Sequence, residues 1–82
     1  MMNKIYGVVL SNSYYYKNRE NRFIINFPLQ VDRKITIYGK VMVQITSPIP
    51  LEFKIGKRVI IEGRVFYEKG CWLKASNYQI SL

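Results

Sequence analysis

The sequence predicts an all-β fold, a small closed barrel of five strands with little or no helix. Three observations carry this. Apolar and polar residues alternate at a period of two along most of the chain, above all in residues 34–45 (KITIYGKVMVQI). No segment has the three-and-four spacing of an amphipathic helix. A chain of 82 residues makes one domain with a modest core, and closing its sheet removes exposed edges that it can ill sustain.

Residues 4–11 (KIYGVVLS) are rich in β-branched and aromatic types and form the first predicted strand; the face taken by Tyr6 depends on the parity around Gly7. Residues 12–20 read as a polar loop. In residues 21–29 (NRFIINFPL), Phe23, Ile25, Phe27 and Leu29 share one face, and Arg22, Ile24 and Asn26 the other; Pro28 argues for an edge or a strand end. Gln30–Arg33 are expected to turn. The third strand, 34–45, sets Ile35, Ile37, Gly39, Val41, Val43 and Ile45 against Thr36, Tyr38, Lys40, Met42 and Gln44, with Gly39 expected to form a bulge or sharp coil. Residues 46–56 (TSPIPLEFKIG) contain Pro48 and Pro50 and are a connector with at most one turn near Leu51–Lys54. Residues 57–67 form the fourth strand, with Gly63 inside it. Glu68-Lys69-Gly70 make a hairpin turn, and 71–80 the last strand. There are no repeats, linkers or low-complexity tracts, so residues 1–82 are read as one domain.

Five strands with internal glycines fit the OB-fold, a Greek-key barrel that binds ligands on strands 2 and 3 between the loops joining strands 1–2 and 4–5. An SH3-like barrel also has five strands and is the alternative; the long third strand with Gly39 favours the OB-fold. The segment 56–80 (GKRVIIEGRVFYEKGCWLKASNYQI) carries Gly56, Val59, Ile61, Glu62, Gly63 and Val65 in the pattern G-[KD]-x-V-x-[VI]-E-G-x-[VL]. It resembles the C-terminal half of bacterial and phage single-stranded DNA-binding proteins and primosomal replication proteins, over about a third of the chain. The resemblance implies an OB-fold and single-stranded DNA binding in replication, recombination or repair. The helix usual between strands 3 and 4 is replaced here by the proline connector. The chain stops at Ile80-Ser81-Leu82 with no acidic tail, so that tail's partner-recruiting role is not carried over; small size without it points to a phage or mobile element.

Thirteen Lys and Arg against five Asp and Glu give a net charge of +8, a field that attracts polyanions. The chain has no histidine, and Glu20, Asp32, Glu52, Glu62 and Glu68 are scattered without acid–base or metal-ligand spacing. Cys71, the single cysteine, has no histidine to activate it and excludes an internal disulfide. The expectation is a binding protein, not an enzyme, with no cofactor and no metal. No apolar run approaches the roughly 18 residues of a membrane span, and MMNKIYGVVLSNS lacks a cleavage pattern. A reducing, intracellular (cytoplasmic) setting without membrane contact is expected.

The candidate contacts are rings beside cations. Tyr14, Tyr15, Tyr16, Lys17 and Arg19 lie together in the 12–20 loop; flat rings stack on bases while cations meet phosphates. Arg22 and Asn26 on strand 2, and Tyr38, Lys40 and Met42 on strand 3, form the expected binding face. Tyr67, Lys69, Trp72 and Lys74 overhang it from the last hairpin. Tyr78 is expected to be structural. The expected function is sequence-tolerant single-strand binding, DNA favoured over RNA. The alternatives are an RNA-binding module or a protein-interaction subunit in which Tyr, Trp and Arg act as hot spots. A homo-oligomer is expected, with Ile24, Ile49, Leu51 and Phe53 as interface candidates, alongside replication or recombination proteins as partners.

Overall fold

A computed structural model describes residues 3–31, 39–67 and 70–81. They form six strands: β1 (Asn3–Val9), β2 (Tyr14–Lys17), β3 (Phe23–Val31), β4 (Lys40–Ser47), β5 (Arg58–Tyr67) and β6 (Cys71–Ser81). The sheet runs β1-β5-β6-β4-β3-β2, and an added β1–β3 pairing closes it into a mixed barrel of five strands plus the extra strand β2. Among the described residues, only β4 and β6 pair in parallel. This is the OB-fold-like barrel that the alternation predicts, with no helix among the described residues.

The core follows the period of two. Ile25, Phe27 and Leu29 of β3 and Val41, Val43 and Ile45 of β4 point inward, met by Ile5 and Val9 of β1, Val59 and Ile61 of β5, and Leu73 of β6. Two glycines sit where strands must approach too closely for a side chain. Gly7 pairs with both Val31 and Val59 at the point where β1 serves two neighbours. A Cβ there would meet the Gln30 carbonyl oxygen and lie 2.8 Å from Leu29 Cγ. At Gly63 a Cβ would collide with the Lys74 carbonyl oxygen and reach Ala75 Cα at 2.9 Å. The β5–β6 register shifts beside it, and Ser76 is the extra residue, its hydroxyl donating to the Glu62 carbonyl at 3.3 Å. Gly63→Ala is therefore expected to cost about 3 kcal/mol by overpacking against backbone that cannot rotate away, lowering Tm by about 12–24 °C. Thermal unfolding followed by circular dichroism measures it; an unchanged Tm would mean that the two strands can separate freely at the bulge.

Several sequence expectations are corrected. Residues 12–20 are not all loop, because Tyr14–Lys17 pair with Phe23–Asn26 as a strand. Gln30 and Val31 continue β3 instead of turning, held by Val31 N–H donating to the Gly39 carbonyl at 3.0 Å. Gly39 is not in a strand: it precedes β4 at φ 66, left-handed backbone that suits glycine. The bulge is at Gly63. Residues 32–38, which include the first half of the expected third strand, lie outside the described residues, as do Glu68 and Lys69 of the expected hairpin turn. Gly70, the last residue of that expected turn, has φ 124, a backbone conformation that favours glycine.

Pro28 is not at a strand end, yet it obeys the rule that raised the expectation. β1 pairs with Leu29–Val31 and β2 with Phe23–Asn26, so Phe27 and Pro28 fall in neither register. The Leu10 N–H donates to the Pro28 carbonyl at 2.9 Å. A strand residue turns its N and its carbonyl to the same edge, so the donor that proline lacks falls on this seam.

The proline connector closes one end of the barrel. Phe53 is 2% exposed, stacked on Phe27 at 4.6 Å between centroids and edge-on to Tyr78 at 5.5 Å. Its N–H donates to Ser13 Oγ and its carbonyl accepts from Ser13 N–H, both at 2.8 Å. Ile55 N–H donates to Asn12 Oδ1, also at 2.8 Å. The connector thus anchors the segment that leads into β2. Phe53 is core and is withdrawn from the expected subunit interface; Leu51 packs half-buried against the same core. Tyr78, which the sequence reading expected to be structural, is 37% exposed and turns its ring to the Phe53 edge contact.

Candidate nucleic-acid interface

Cross-strand partners share a face of a sheet, so the register fixes which side chains stand together. Since Ile25 and Phe27 point inward, Asn26 points outward, with Tyr14 opposite it on β2 and Gln44 opposite it on β4. Gln44 pairs in turn with Lys74 on β6, and Lys74 with Arg64 on β5. One outer row therefore runs Tyr14–Asn26–Gln44–Lys74–Arg64. Beside it lie Tyr16, Ile24 and Thr46 on one side, and Pro28, Met42 and Trp72 on the other. Lys40, opposite Gln30, follows at the edge.

The tyrosine run divides by parity. Tyr14 and Tyr16 are 55% and 52% exposed and stand on this outer face. Tyr15 and Lys17 turn to the opposite face, where Tyr15 meets Phe23 edge-on at 5.4 Å and Lys17 Nζ lies 5.5 Å from the Phe23 ring centre. Arg19 and Arg22 are exposed in the β2–β3 turn, and Arg22 lies one residue before β3, just outside the strand to which the sequence reading assigned it. Asn18 builds that turn. Its Oδ1 accepts from the N–H groups of Glu20 and Arg22, each at 3.0 Å, and its own N–H donates to the Arg22 carbonyl at 2.8 Å. Asn21 takes φ 66, a conformation asparagine tolerates better than most residues.

The structure thus brings together Tyr14, Tyr16, Lys40, Met42, Trp72 and Lys74. Trp72 is half-buried among them. Asn26 is on the expected face but is 3% exposed, a floor residue and not a surface one. Tyr67 is 71% exposed at the end of β5, on the opposite parity from the outer row. Tyr6 is exposed on the outer face of β1 opposite Ile60, away from the tyrosine strand. Tyr38 and Lys69 lie outside the described residues. Gln44 and Arg64 were not among the expected contacts: Gln44 was placed on the polar face of strand 3 without a role, and Arg64 was read as solvated only. Gln44 shares parity with Lys40 and Met42, a signal that was present; Arg64 joins only through the β5–β6 and parallel β4–β6 registers, which no local pattern encodes.

Among the described residues there is no group of acidic, cysteine or histidine side chains placed to hold a metal. No family model matches the chain, and no curated protein or solved structure matches it at a significant level.

Proposed function

We propose that the protein binds single-stranded nucleic acid, DNA in preference to RNA, across the outer face of β2, β3, β4 and β6. The observation that supports this most is the docking of β2 on β3, which sets Tyr14 and Tyr16 on the same face as Trp72, Met42, Lys40 and Lys74. Rings that stack and cations that meet phosphates are the two components of single-strand binding, and the net charge of +8 supplies the long-range attraction. The face suits processes that expose single strands: replication, recombination and repair.

The test is fluorescence anisotropy of labelled single-stranded oligonucleotides at several salt concentrations, with duplex and RNA as competitors. Saturable binding is expected, stronger than to duplex. Its logarithmic dependence on salt should have a slope of about −0.7 per phosphate neutralised. Lys40→Ala should make that slope shallower by about 0.7. No binding at low salt, where a basic protein has every electrostatic advantage, would overturn the proposal and leave the tyrosine face as a docking surface for an acidic protein.

A further inference from the structure

β2 stands at the end of the sheet, and among the described residues no strand pairs with its far edge. The backbone of β2 can be sorted by direction. The Asn18 N–H donates to the Arg22 carbonyl, so these two form a hydrogen-bonded pair of the β2–β3 ladder. Such pairs alternate along an antiparallel ladder. Tyr14 and Tyr16 therefore turn their N–H and C=O groups toward β3, and Tyr15 and Lys17 turn theirs away from it. Ser13 has the parity of Tyr15 and agrees: its N–H points away from β3 and is taken by the Phe53 carbonyl at 2.8 Å. The free edge thus presents the N–H and C=O of Tyr15 and Lys17.

Proteins usually blunt a free edge with proline, a bulge or charge. β2 has only Lys17, at its end; its other residues are tyrosines, strong strand formers, and all of it is exposed. The open stretch is bounded by the connector at Ser13 and by the hairpin turn from Asn18 to Arg22, so it is as long as β2 itself. A short strand that ends in a turn fits it, and a second copy of β2 is such a strand. One twofold register satisfies both copies. Centred on Tyr16, it sets Tyr15 opposite Lys17 of the second copy, and these exchange all their outward bonds. Centred on Tyr15, it would need the Ser13 N–H that Phe53 already holds. Centred on Lys17, it would set two like charges face to face.

We propose that two copies of this chain pair antiparallel through β2, centred on Tyr16, to form a twofold dimer. Tyr16 meets Tyr16 of the second copy as a close cross-strand aromatic pair, and each Lys17 lies beside a Tyr15 ring. Residues directly opposite share a face, so a register that pairs Tyr16 with itself turns both outer faces the same way. The two sheets become one, with Tyr14 and Tyr16 of each copy gathered at the seam. Each copy carries a net charge of +8, so pairing strengthens as salt screens the repulsion, the reverse of nucleic-acid binding.

Sedimentation of the nucleic-acid-free protein over a series of concentrations and salts is expected to show a monomer–dimer equilibrium. Tyr15→Pro removes an outward donor and leaves the β3 ladder intact, as proline is tolerated on an edge. It should weaken association about ten- to hundredfold, because the twofold removes that donor from both copies. The register is read by cysteine crosslinking in a Cys71→Ser background. Tyr16→Cys places two Cα atoms about 4.5 Å apart, within disulfide reach. Tyr15→Cys places them beyond about 7 Å, out of reach. The first should crosslink about tenfold faster than the second. Circular dichroism checks each fold, and either the proline or the cysteine variants decide if the others do not fold. A parent protein that stays monomeric throughout overturns the pairing. So does equal crosslinking at both positions, or a dimer that Tyr16→Cys does not crosslink. None of these outcomes bears on what the outer face binds, so the single-strand reading stands or falls separately.

Discussion

Phe53→Ala is expected to cost about 3–5 kcal/mol, a large part of the stability that a domain of this size holds. The residue belongs to an irregular connector, where substitutions usually matter little. Here the ring is fully enclosed, lies flat on Phe27 and receives the edge of Tyr78. Its removal opens a cavity at the end of the barrel that the rigid strands cannot close. The backbone bonds to Ser13 would then have to hold the connector without the ring that seats it. Urea unfolding followed by circular dichroism is the measurement. The midpoint should fall sharply, and Tm by about 12–40 °C. A midpoint equal to that of the parent protein would show that the connector can be lifted off without consequence for the barrel.

The second large effect concerns binding. Tyr14→Ala and Tyr16→Ala should each weaken single-strand affinity by about 1–3 kcal/mol. Made together they should lose less than the sum, because adjacent rings on one face contact the same stretch of the bound strand. The salt slope should stay nearly constant, since no cation is removed. Tyr15→Ala serves as the internal comparison. It is as exposed as its neighbours, but its ring leans on Phe23 on the other side of β2. It should loosen the hairpin slightly and change affinity little. Titration of each variant with the same oligonucleotide decides it. Equal losses from all three would mean that the tyrosines act as a loose cluster and that strand parity does not organise the site.

The barrel was legible because burial imposes a period. Val41, Val43 and Ile45 announce their face to any reader of the sequence, and so do Ile25, Phe27 and Leu29. The tyrosine strand was not, because three identical residues carry no alternation and all of β2 is exposed. Phe53 looked like a surface residue among prolines; only the path of the connector across the barrel end reveals its burial. Asn26 was legible as outward-facing, but not as buried, because no local pattern marks an outward residue of a strand as buried. The outer row depends on the parallel β4–β6 pairing, which brings Gln44 to Lys74 across thirty positions of sequence. Local patterns choose a residue's side of the sheet; only the completed topology chooses its company.

The seam at Pro28 separates two duties along a single strand. Gly7–Val9 against Leu29–Val31 closes the barrel, while Tyr14–Lys17 against Phe23–Asn26 carries the rings. Barrel closure therefore does not depend on what side chains β2 bears. Mutation can change the outward side chains at Tyr14 and Tyr16 while the turn at Asn18 and Asn21 and the scaffold's own constraint, at Gly7 and Gly63, stay untouched. Such a division gives the chain room to evolve its specificity quickly on a frame that changes slowly.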